Sequence, residues 1–368
     1  MITKLDIENF RGFERLSISP LKRINLFAGA NNTGKTAVLE ALVLLFGNDQ
    51  GPHPIQTLPG LFRSNLAGAS VQSNQDDYAT FWECLFFDRQ TALEPRITAL
   101  RGAAEELVCR LKSQEDGIEI LQEWTPASQV AARQPGPAAA DKRVYSLRVS
   151  SPGPQPQPPP YTWRVNKTGR VGASGRPSST AQELTIVSTR QEHPAQDADV
   201  YNEVTLLEGG EERLTALLRQ VDSRLQKLRY AKAPGMSQPL VYAHFGMRNA
   251  ISMTQAGQGF SKLFSLFCHM ILSKAKILFI DEIENGLYYE ALPEIWKGIA
   301  TLAASENIQV FATTHSRECI LAAHQTMTAV PEYDFALHRL QRVKGQIEAV
   351  THDRGMLDAA IKSGLEVR

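Results

Sequence analysis

The chain has 368 residues, of which 43% are hydrophobic, and this is enough for a sizeable core and about two lobes. Its 39 Lys and Arg residues are matched by 39 Asp and Glu residues. A neutral chain has no global attraction to nucleic acid or to an anionic membrane, although this balance leaves room for a local basic patch.

The sequence also argues against membrane and secreted classes. No run approaches the ~18 consecutive apolar residues that a spanning helix needs, and residues 1–13 lack the apolar stretch of a secretory signal. The four cysteines are far apart and show no CxxC spacing (Cys84, Cys109, Cys268, Cys319). This pattern disfavours a zinc site or a disulfide framework and predicts a cytoplasmic protein without a membrane partner.

The first 46 residues change from strand to helix periodicity. ITKLDIENF alternates apolar and polar residues, which predicts a half-buried strand, and RGFERLSIS predicts a second strand. INLFAG then predicts a short buried strand, and TAVLEALVLLF places apolar residues at helical spacing. The segment GANNTGKT, at 29–36, therefore joins a strand to a helix.

This segment matches the phosphate-binding loop pattern, with Gly29, Gly34, Lys35 and Thr36 at the required positions. Glycines let backbone N–H groups turn toward an anion, and the start of the following helix favours negative charge. We expect Lys35 to neutralise the β and γ phosphates of a nucleotide and Thr36 to ligate magnesium. An ordinary glycine-rich turn is the alternative, but the flanking strand and helix favour the phosphate site.

The middle of the chain contains two segments of unusual composition. Residues 125–180 include SSPGPQPQPPP and VGASGRPSST, which cannot bury much apolar surface, so we predict a mobile Pro/Gly-rich insertion with strand-like YTWRVNK inside it. Residues 211–230 place six apolar residues on one stripe, which predicts an amphipathic helix (Leu214, Leu217, Leu218, Val221, Leu225, Leu228). Three basic residues lie off the stripe, where a solvated face is favoured over a DNA contact (Arg219, Arg224, Lys227).

Strand-like and helix-like segments alternate in the last third of the chain, which predicts a parallel sheet. ILFIDE is a buried strand ending at Asp281 and Glu282. Asp281 can hold magnesium through water, and Glu282 can polarise the water that attacks a γ phosphate. VFATTH is a buried strand ending at His315, which can contact and sense that phosphate. A strand that simply ends at solvated residues is the alternative, and the phosphate loop upstream argues against it.

A glycine-rich turn, QAGQG at 255–259, precedes a predicted buried helix about 20 residues before Asp281. A glycine-rich helix start is an anion site. Because this turn lacks the Lys–Thr pair of a phosphate loop, its meaning comes from its place in the order of the motifs.

The order of the motifs resembles that of the ABC-type ATPase heads of the SMC/RecF group. IENFRGFERLSI, INLFAGANNTGKTAVLEAL, ILFIDEIENGLYYE and QVFATTHSRECILAA are similar to the OLD-like branch, often filed with AAA-family ATPases. The resemblance is strong at both ends and weak in the middle. It implies an α/β fold: an ABC-type P-loop ATPase head with an N-terminal antiparallel β subdomain, a central parallel sheet flanked by helices, and an inserted helical segment. We divide this head into lobe I at 1–190, a helical insertion at 191–235 and lobe II at 236–368.

The resemblance implies that the cofactors are ATP and Mg²⁺ and gives each motif a role. Residues 29–36 correspond to Walker A and 277–282 to Walker B, with 283–287 as the D-loop region and 255–262 as the signature motif. Glycine stands where the usual LSGGQ signature has serine. The implied catalytic residues are Glu282 and the switch histidine His315, and the implied metal ligands are Thr36 and Asp281. The implied nucleotide contacts are Arg11, Gly29, Asn31, Asn32, Thr33, Gly34, Lys35, Thr36, Gly257 and Gly259.

Heads of this kind act as head-to-tail dimers. The phosphate loop of one subunit and the signature turn of the other enclose each ATP, and hydrolysis of the γ phosphate loosens the dimer. The resemblance therefore implies a homodimer or an oligomer of dimers, in which a single chain has incomplete sites.

The residues after His315 show no DxD cluster like that of the Toprim nuclease domain of full-length OLD proteins. We therefore expect a stand-alone ATPase that acts as sensor or scaffold for a separate effector, a Toprim-like nuclease, as in PARIS-type anti-phage systems. DNA or a phage protein would be the trigger. The alternative is a RecF/SMC-like DNA-repair ATPase that clamps on DNA. The departure from LSGGQ disfavours a transporter ATPase, and the lack of an acidic cluster beyond Asp281 and Glu282 disfavours an autonomous nuclease.

Overall fold

A computed structural model of the chain describes residues 1–46, 83–102, 105–114, 117–125, 161–166, 171–174, 183–187, 194–233, 235, 237–272, 275–330 and 332–367. The strands within these ranges are β1 Ile2–Phe10, β2 Phe13–Ile18, β3 Ile24–Ala28, β4 Arg96–Arg101, β5 Glu105–Gln114, β6 Gly117–Thr125, β7 Tyr161–Asn166, β8 Val171–Ser174, β9 Glu183–Val187, β10 Lys227–Ala231, β11 Leu240–His244, β12 Ile251–Ser252, β13 Ala275–Ile280, β14 Gln309–Thr313, β15 Phe335–Val343 and β16 Gln346–His352. The helices are α1 Lys35–Phe46, α2 Pro194–Thr205, α3 Gly210–Val221, α4 Gln258–Leu272, α5 Leu292–Ser305, α6 Arg317–Ala329 and α7 Arg354–Lys362.

The amino-terminal strands belong to an antiparallel sheet in the order β2-β1-β4-β5-β6-β7-β8. Strand β1 pairs with both β2 and β4. Its residues Leu5 and Ile7 are buried, while Asp6 between them is half-buried. This alternation is the period of a strand with one face on a core, and it confirms the predicted amino-terminal antiparallel subdomain.

A second sheet, in the order β16-β15-β3-β14-β13-β9, forms the centre of the molecule. Five of its strands are parallel, which confirms the predicted parallel sheet. The edge strand β16 instead runs antiparallel to β15. The two residues that join them, Lys344 and Gly345, both have positive φ angles, of 50° and 89°. A two-residue turn of this kind matches the twist of an antiparallel hairpin.

Side chains of the central sheet alternate between two apolar layers. Phe27, Phe279 and Phe311 pack with α1 and the amino-terminal sheet. The ring centroids of Phe279 and Phe311 are 5.7 Å apart. Leu278 and Ile280 face the opposite layer, which the helices of the second half of the chain complete. Burial on both faces explains why these strands read as continuous apolar runs.

The structure corrects the single helix predicted over 211–230. Helix α3 ends at Val221, and residues 227–231 form β10, which pairs with β11 in a three-stranded sheet with β12. Asp222 leaves the helix with extended backbone angles, φ −135° and ψ 100°. Leu228 is buried as predicted, but it is buried by a strand. Within the described residues of the predicted helical insertion at 191–235 there are therefore two helices and a strand.

The other expectations for the middle of the chain are tested only in part. Most of the predicted insertion at 125–180 lies outside the described residues, and the parts that are described form β7 and β8. The central sheet takes β3 and β9 from predicted lobe I and β13, β14, β15 and β16 from predicted lobe II. No helix in the described part of the chain is long and apolar enough to cross a bilayer.

Candidate nucleotide site at the carboxyl edge of the central sheet

The central sheet brings three of the predicted motifs to one edge. Phe27 of β3 is in register with Thr313 of β14, and Ile280 of β13 is in register with Ala312. The three strands are parallel neighbours, so the segments that follow them leave the same edge. These segments are the phosphate loop at 29–36, the pair Asp281–Glu282, and Thr314–His315. A carboxyl edge of this kind is the usual ligand site of open α/β sheets.

The phosphate loop has the backbone that its glycines permit. Gly29 and Gly34 have φ angles of 147° and 88°, in a region that favours glycine. A Cβ atom on Gly34 would lie 2.5 Å from the ring of Phe13, and one on Gly29 would lie 2.4 Å from the carbonyl oxygen of Leu340. Both glycines are therefore required by packing as well as by backbone angles. Asn32 also has a positive φ angle, of 62°.

The lysine of this loop lies over the loop itself. The Lys35 ammonium donates hydrogen bonds to the carbonyl oxygens of Gly29, at 2.7 Å, and Ala30, at 2.9 Å. Burial lowers the pKa of Lys35, although three carboxylates act in the opposite direction. They are Glu284, Asp281 and Glu282. The Lys35 ammonium therefore interacts electrostatically with the acidic residues that follow β13.

A threonine at the end of β14 holds both predicted acids. Asp281 is only 2% exposed, and its Oδ1 accepts a hydrogen bond from the Thr313 hydroxyl at 2.6 Å. The same hydroxyl oxygen accepts the backbone N–H of Glu282 at 2.8 Å. One side chain thus sets the direction of a buried carboxylate and of the residue after it.

Glu282 takes an uncommon backbone conformation. Its φ angle is 46°, in the left-handed region that costs energy for a residue with a Cβ atom. The Lys262 ammonium donates to its carbonyl oxygen at 2.7 Å and to that of Ile283 at 3.2 Å. Lys262 is 8% exposed, and burial lowers the pKa of its ammonium to about 8. The conformation is therefore held by contacts from outside the turn.

The predicted switch histidine is bound by an acid that the sequence analysis did not single out. One carboxylate oxygen of Glu284 accepts the backbone N–H of His315 at 2.8 Å and lies 3.1 Å from its Nδ1 atom. The other, Oε2, is buried and has no hydrogen-bond partner among the residues the structure describes. His315 itself has a half-exposed side chain. The imidazole is therefore anchored through the segment that follows Glu282.

The predicted signature turn packs on that same segment. Gly257 has a φ angle of 98°, and helix α4 begins at the next residue. A Cβ atom on Gly259 would lie 2.0 Å from the carbonyl oxygen of Gly286. Because only glycine allows this approach, the first turn of α4 is fixed against the predicted D-loop region of its own chain.

Arg11, a predicted nucleotide contact, is paired with the helix that follows the phosphate loop. Its side chain forms a two-pronged ion pair with Glu40 of α1, at 2.8 and 3.2 Å, and both side chains are buried. Its guanidinium also donates to the carbonyl oxygen of Cys84 at 3.2 Å. The structure thus directs Arg11 at the helix that follows the phosphate loop, where the pair ties the amino-terminal sheet to α1.

A cavity of about 290 Å³ adjoins the outer side of the phosphate loop. It is lined by the loop residues 30–33 and by residues 339–342 of β15. Arg339 and Arg342 give this lining positive charge. The cavity extends the candidate site beyond the residues that the motifs identify.

Three residues of the site were given no role of their own by the sequence, although two of them lie inside the segments 255–262 and 283–287. Glu284 and Thr313 adjoin motif residues and carried no separate signal. Lys262 did carry one, because it is the one charged residue of Asp, Glu, Lys or Arg type in the otherwise apolar and neutral stretch 258–272. A lysine inside a buried helix needs a partner.

Comparisons with known proteins match both halves of the site. Residues 1–99 match the family model described as "AAA ATPase domain". Residues 172–320 match the model described as "AAA domain, putative AbiEii toxin, Type IV TA system". The first stretch carries the phosphate loop, and the second carries the signature turn, Asp281, Glu282 and His315.

Both stretches are therefore similar to AAA-type ATPase domains. The chain is 24% identical over 352 residues to an "ATP/GTP phosphatase" of Helicobacter pylori, covering 91% of this chain and 90% of that protein. It is 50% identical over 44 residues to the DNA replication and repair protein RecF of Nitrosococcus oceani, covering 12% of each chain.

Solved structures place the chain in a known fold. A crystal structure of an SMC head bound to the C-terminal winged-helix domain of ScpA aligns with a TM-score of 0.51 and 13% sequence identity. The alignment covers 98% of this chain and 99% of that one. At this identity the likeness concerns the fold alone, and it confirms the predicted α/β fold of an ABC-type head.

Proposed function

We propose that this ATPase binds ATP with Mg²⁺ and hydrolyses it to ADP and phosphate at the carboxyl edge of the central sheet. The observation that carries the proposal is the meeting of the phosphate loop, the acidic pair and His315 at the ends of three adjacent parallel strands. A phosphate cradle, a metal ligand and a carboxylate for water are the parts that phosphoryl transfer to water needs.

Each residue of the edge has a specific task in this proposal. The phosphate loop cradles the phosphates with its backbone and with Lys35, whose ammonium exchanges its carbonyl partners for phosphate oxygens. Thr36 and Asp281 hold Mg²⁺, which neutralises developing charge on the phosphates. Glu282 orients and polarises the attacking water, and His315 senses the γ phosphate.

We further propose that two copies of the chain close around shared nucleotides. In this arrangement the signature turn of one copy, with Gly257 and Gly259, completes the site formed by the phosphate loop of the other. The turn is suited to this task because it begins a helix, and the start of a helix attracts phosphate. The γ phosphate favours the closed dimer, and its loss on hydrolysis favours opening.

The dimer is proposed to act as a sensor or scaffold that controls a separate effector in anti-phage defence. The match of residues 172–320 to a family described with a toxin of a toxin–antitoxin system supports a defence role. The choice of a Toprim-like nuclease as the effector rests on the resemblance of the motifs to OLD-like and PARIS-type proteins.

A DNA-repair ATPase that clamps on duplex DNA is the second candidate. The local match to RecF, 50% identical over 44 residues, supports this candidate. Both candidates use the same ATP site, so they differ in what the closed dimer binds.

The hydrolysis itself is tested by replacing the loop lysine. Lys35→Ala removes the cation that faces the phosphates, and we expect loss of ATP binding together with loss of phosphate release. Lys22→Ala is the matched control, since Lys22 is an exposed lysine ahead of β3, and it should leave both unchanged. Tight ATP binding by Lys35→Ala would contradict the assignment of the phosphate loop.

The two candidate roles are distinguished by which molecule the ATP-bound protein binds, a partner protein or duplex DNA. Co-purification of the product of a neighbouring gene, released on ATP hydrolysis, supports the effector role. ATP-dependent binding of duplex DNA by the purified ATPase alone supports the DNA-repair role. Glu282→Gln should remain in the ATP-bound state, so it should bind the true partner, protein or DNA, more stably than the wild type does.

A further inference from the structure

Helix α4 is joined to the segment after β13 at two separate points. At the first, Gly259 lies so close to Gly286 that a Cβ atom on it would meet the carbonyl oxygen at 2.0 Å. At the second, the ammonium of Lys262 donates to the carbonyl oxygens of Glu282 and Ile283. The helix and the segment therefore form one mechanical unit.

The second contact falls on the residue whose backbone most needs support. Glu282 has a φ angle of 46°, which persists only when its surroundings fix it. Its N–H is fixed from β14 by the Thr313 hydroxyl, and its carbonyl oxygen is fixed from α4 by Lys262. The direction of the Glu282 side chain therefore depends on where α4 lies relative to the central sheet.

Packing alone does not explain a lysine at position 262. Its side chain is almost fully buried in a helix whose neighbours are Leu263, Phe264 and Leu266. An apolar side chain of similar length would fill the space without the cost of burying a charge. Only a donor, however, can pair the two carbonyl oxygens of the turn.

We propose that Lys262 is a positioning residue that couples the signature turn to the catalytic carboxylate. A nucleotide held at the start of α4 by one copy of the chain would, through Lys262, set the position of Glu282, which serves the phosphate loop of its own chain. The two sites of the proposed dimer would thus communicate within each subunit. This inference rests on the proposed function, since it assigns Glu282 to the attacking water.

The test compares four proteins for ATP affinity and for the rate of phosphate release at saturating ATP. They are the wild type, Lys262→Met, Glu282→Gln and the double variant. Lys262→Met keeps the length of the side chain and removes the donor. We expect its turnover to fall about 10²-fold, the scale of a small misplacement in a catalytic site, with its Kd for ATP within about twofold of wild type.

The double variant carries the decisive result. If Lys262 acts only through Glu282, adding Lys262→Met to Glu282→Gln should slow turnover no further. The effects of two substitutions are not additive when one residue acts through the other. Turnover of Lys262→Met near the wild-type rate would overturn the inference. So would a double variant slowed by the product of the two single effects, which would mean that Lys262 acts independently.

Lys276→Met is the matched control. Lys276 also donates from its ammonium to a backbone carbonyl oxygen, that of Glu306 at 3.2 Å, but at the opposite end of β13. It should lower stability without a selective fall in turnover.

If Lys262→Met does not fold, as judged by circular dichroism, Lys262→Gln takes its place in the same cycle, because an amide can still donate to one carbonyl. A wild type without turnover would overturn the proposed function, and with it this inference, whereas an active Lys262→Met overturns the inference alone.

Discussion

Two segments meet at the carboxyl edge of the central sheet, and they are held in different ways. In the phosphate loop, the hydrogen bonds of Lys35 and Thr33 go to carbonyl oxygens of the loop itself. In the turn at Asp281 and Glu282, the supporting bonds come from elsewhere, from Thr313 of β14 and from α4.

The difference follows from the residues that each segment uses. The phosphate loop takes its positive φ angles largely at glycines, where they carry no steric cost. The acidic turn places a positive φ angle at Glu282, whose Cβ atom makes this conformation costly. Such a residue needs support from its surroundings. The phosphate loop is therefore held by local contacts, and the acidic turn is held by tertiary contacts.

The largest effect on this comparison is expected from Thr313→Val. The change keeps the shape of the side chain and removes the hydroxyl that bonds Asp281 and Glu282. We expect the free energy of unfolding to fall by about 1–3 kcal/mol, the cost of losing a buried hydrogen-bonding partner. Turnover should fall about 10²-fold because Glu282 is displaced. Urea unfolding and phosphate release measure the two effects.

Thr33→Val is the matched change in the phosphate loop. Its hydroxyl donates to the carbonyl oxygen of Ala30 at 2.8 Å, within the loop. The loss of one such bond should cost about 0.5–1.5 kcal/mol of stability, with a change in ATP affinity smaller than the loss of turnover in Thr313→Val. An equal or larger loss of turnover would contradict the contrast between a local cradle and a tertiary turn.

A smaller effect on stability is expected when the pH is lowered, through a buried histidine that lies beside the strand leading into the phosphate loop. His338 of β15 lies against Phe27 of β3, and its ring nitrogens bond Thr351 and Asn25. Burial, with a further contribution from His352, lowers the pKa of His338 to about 3. As the pH is lowered below about 6.5, this histidine becomes protonated in the unfolded chain but stays neutral in the folded chain. The free energy of unfolding therefore decreases by up to about 1.4 kcal/mol for each pH unit.

The measurement is urea unfolding of the wild type and His338→Gln at pH 7.5 and pH 5. The wild type should lose more stability than the variant between the two values, because glutamine has no proton to gain in this range. Equal losses would show that His338 does not carry the acid sensitivity of the β3 side of the sheet.

The sequence was most informative where structure is local. The phosphate loop, the apolar strands and the order of the motifs predicted the central sheet and its edge, because spacing and alternation report local geometry directly. The same reasoning failed for residues 222–231. Leu225 and Leu228 fit a helical stripe equally well, and only the pairing of β10 with β11 decides that residues 227–231 form a strand.

The partners of the supporting residues could not be predicted from the sequence, even where the residue itself stood out, as Lys262 does. Arg11 lies in a motif associated with nucleotide sites, yet its guanidinium is directed at Glu40, 29 positions along the chain. Thr313 and Lys262 act on Glu282 from 31 and 20 positions away. Such partners follow from the packing of α1, β14 and α4, which no short pattern encodes.

The most direct test of the account is the mass of Glu282→Gln in solution, measured by light scattering with ATP and Mg²⁺. The account predicts a monomer near 40.7 kDa without nucleotide and a stable dimer with ATP, because binding is intact and the water is no longer activated. A variant that binds ATP yet keeps the mass of one chain would contradict the closure of two copies around shared nucleotide.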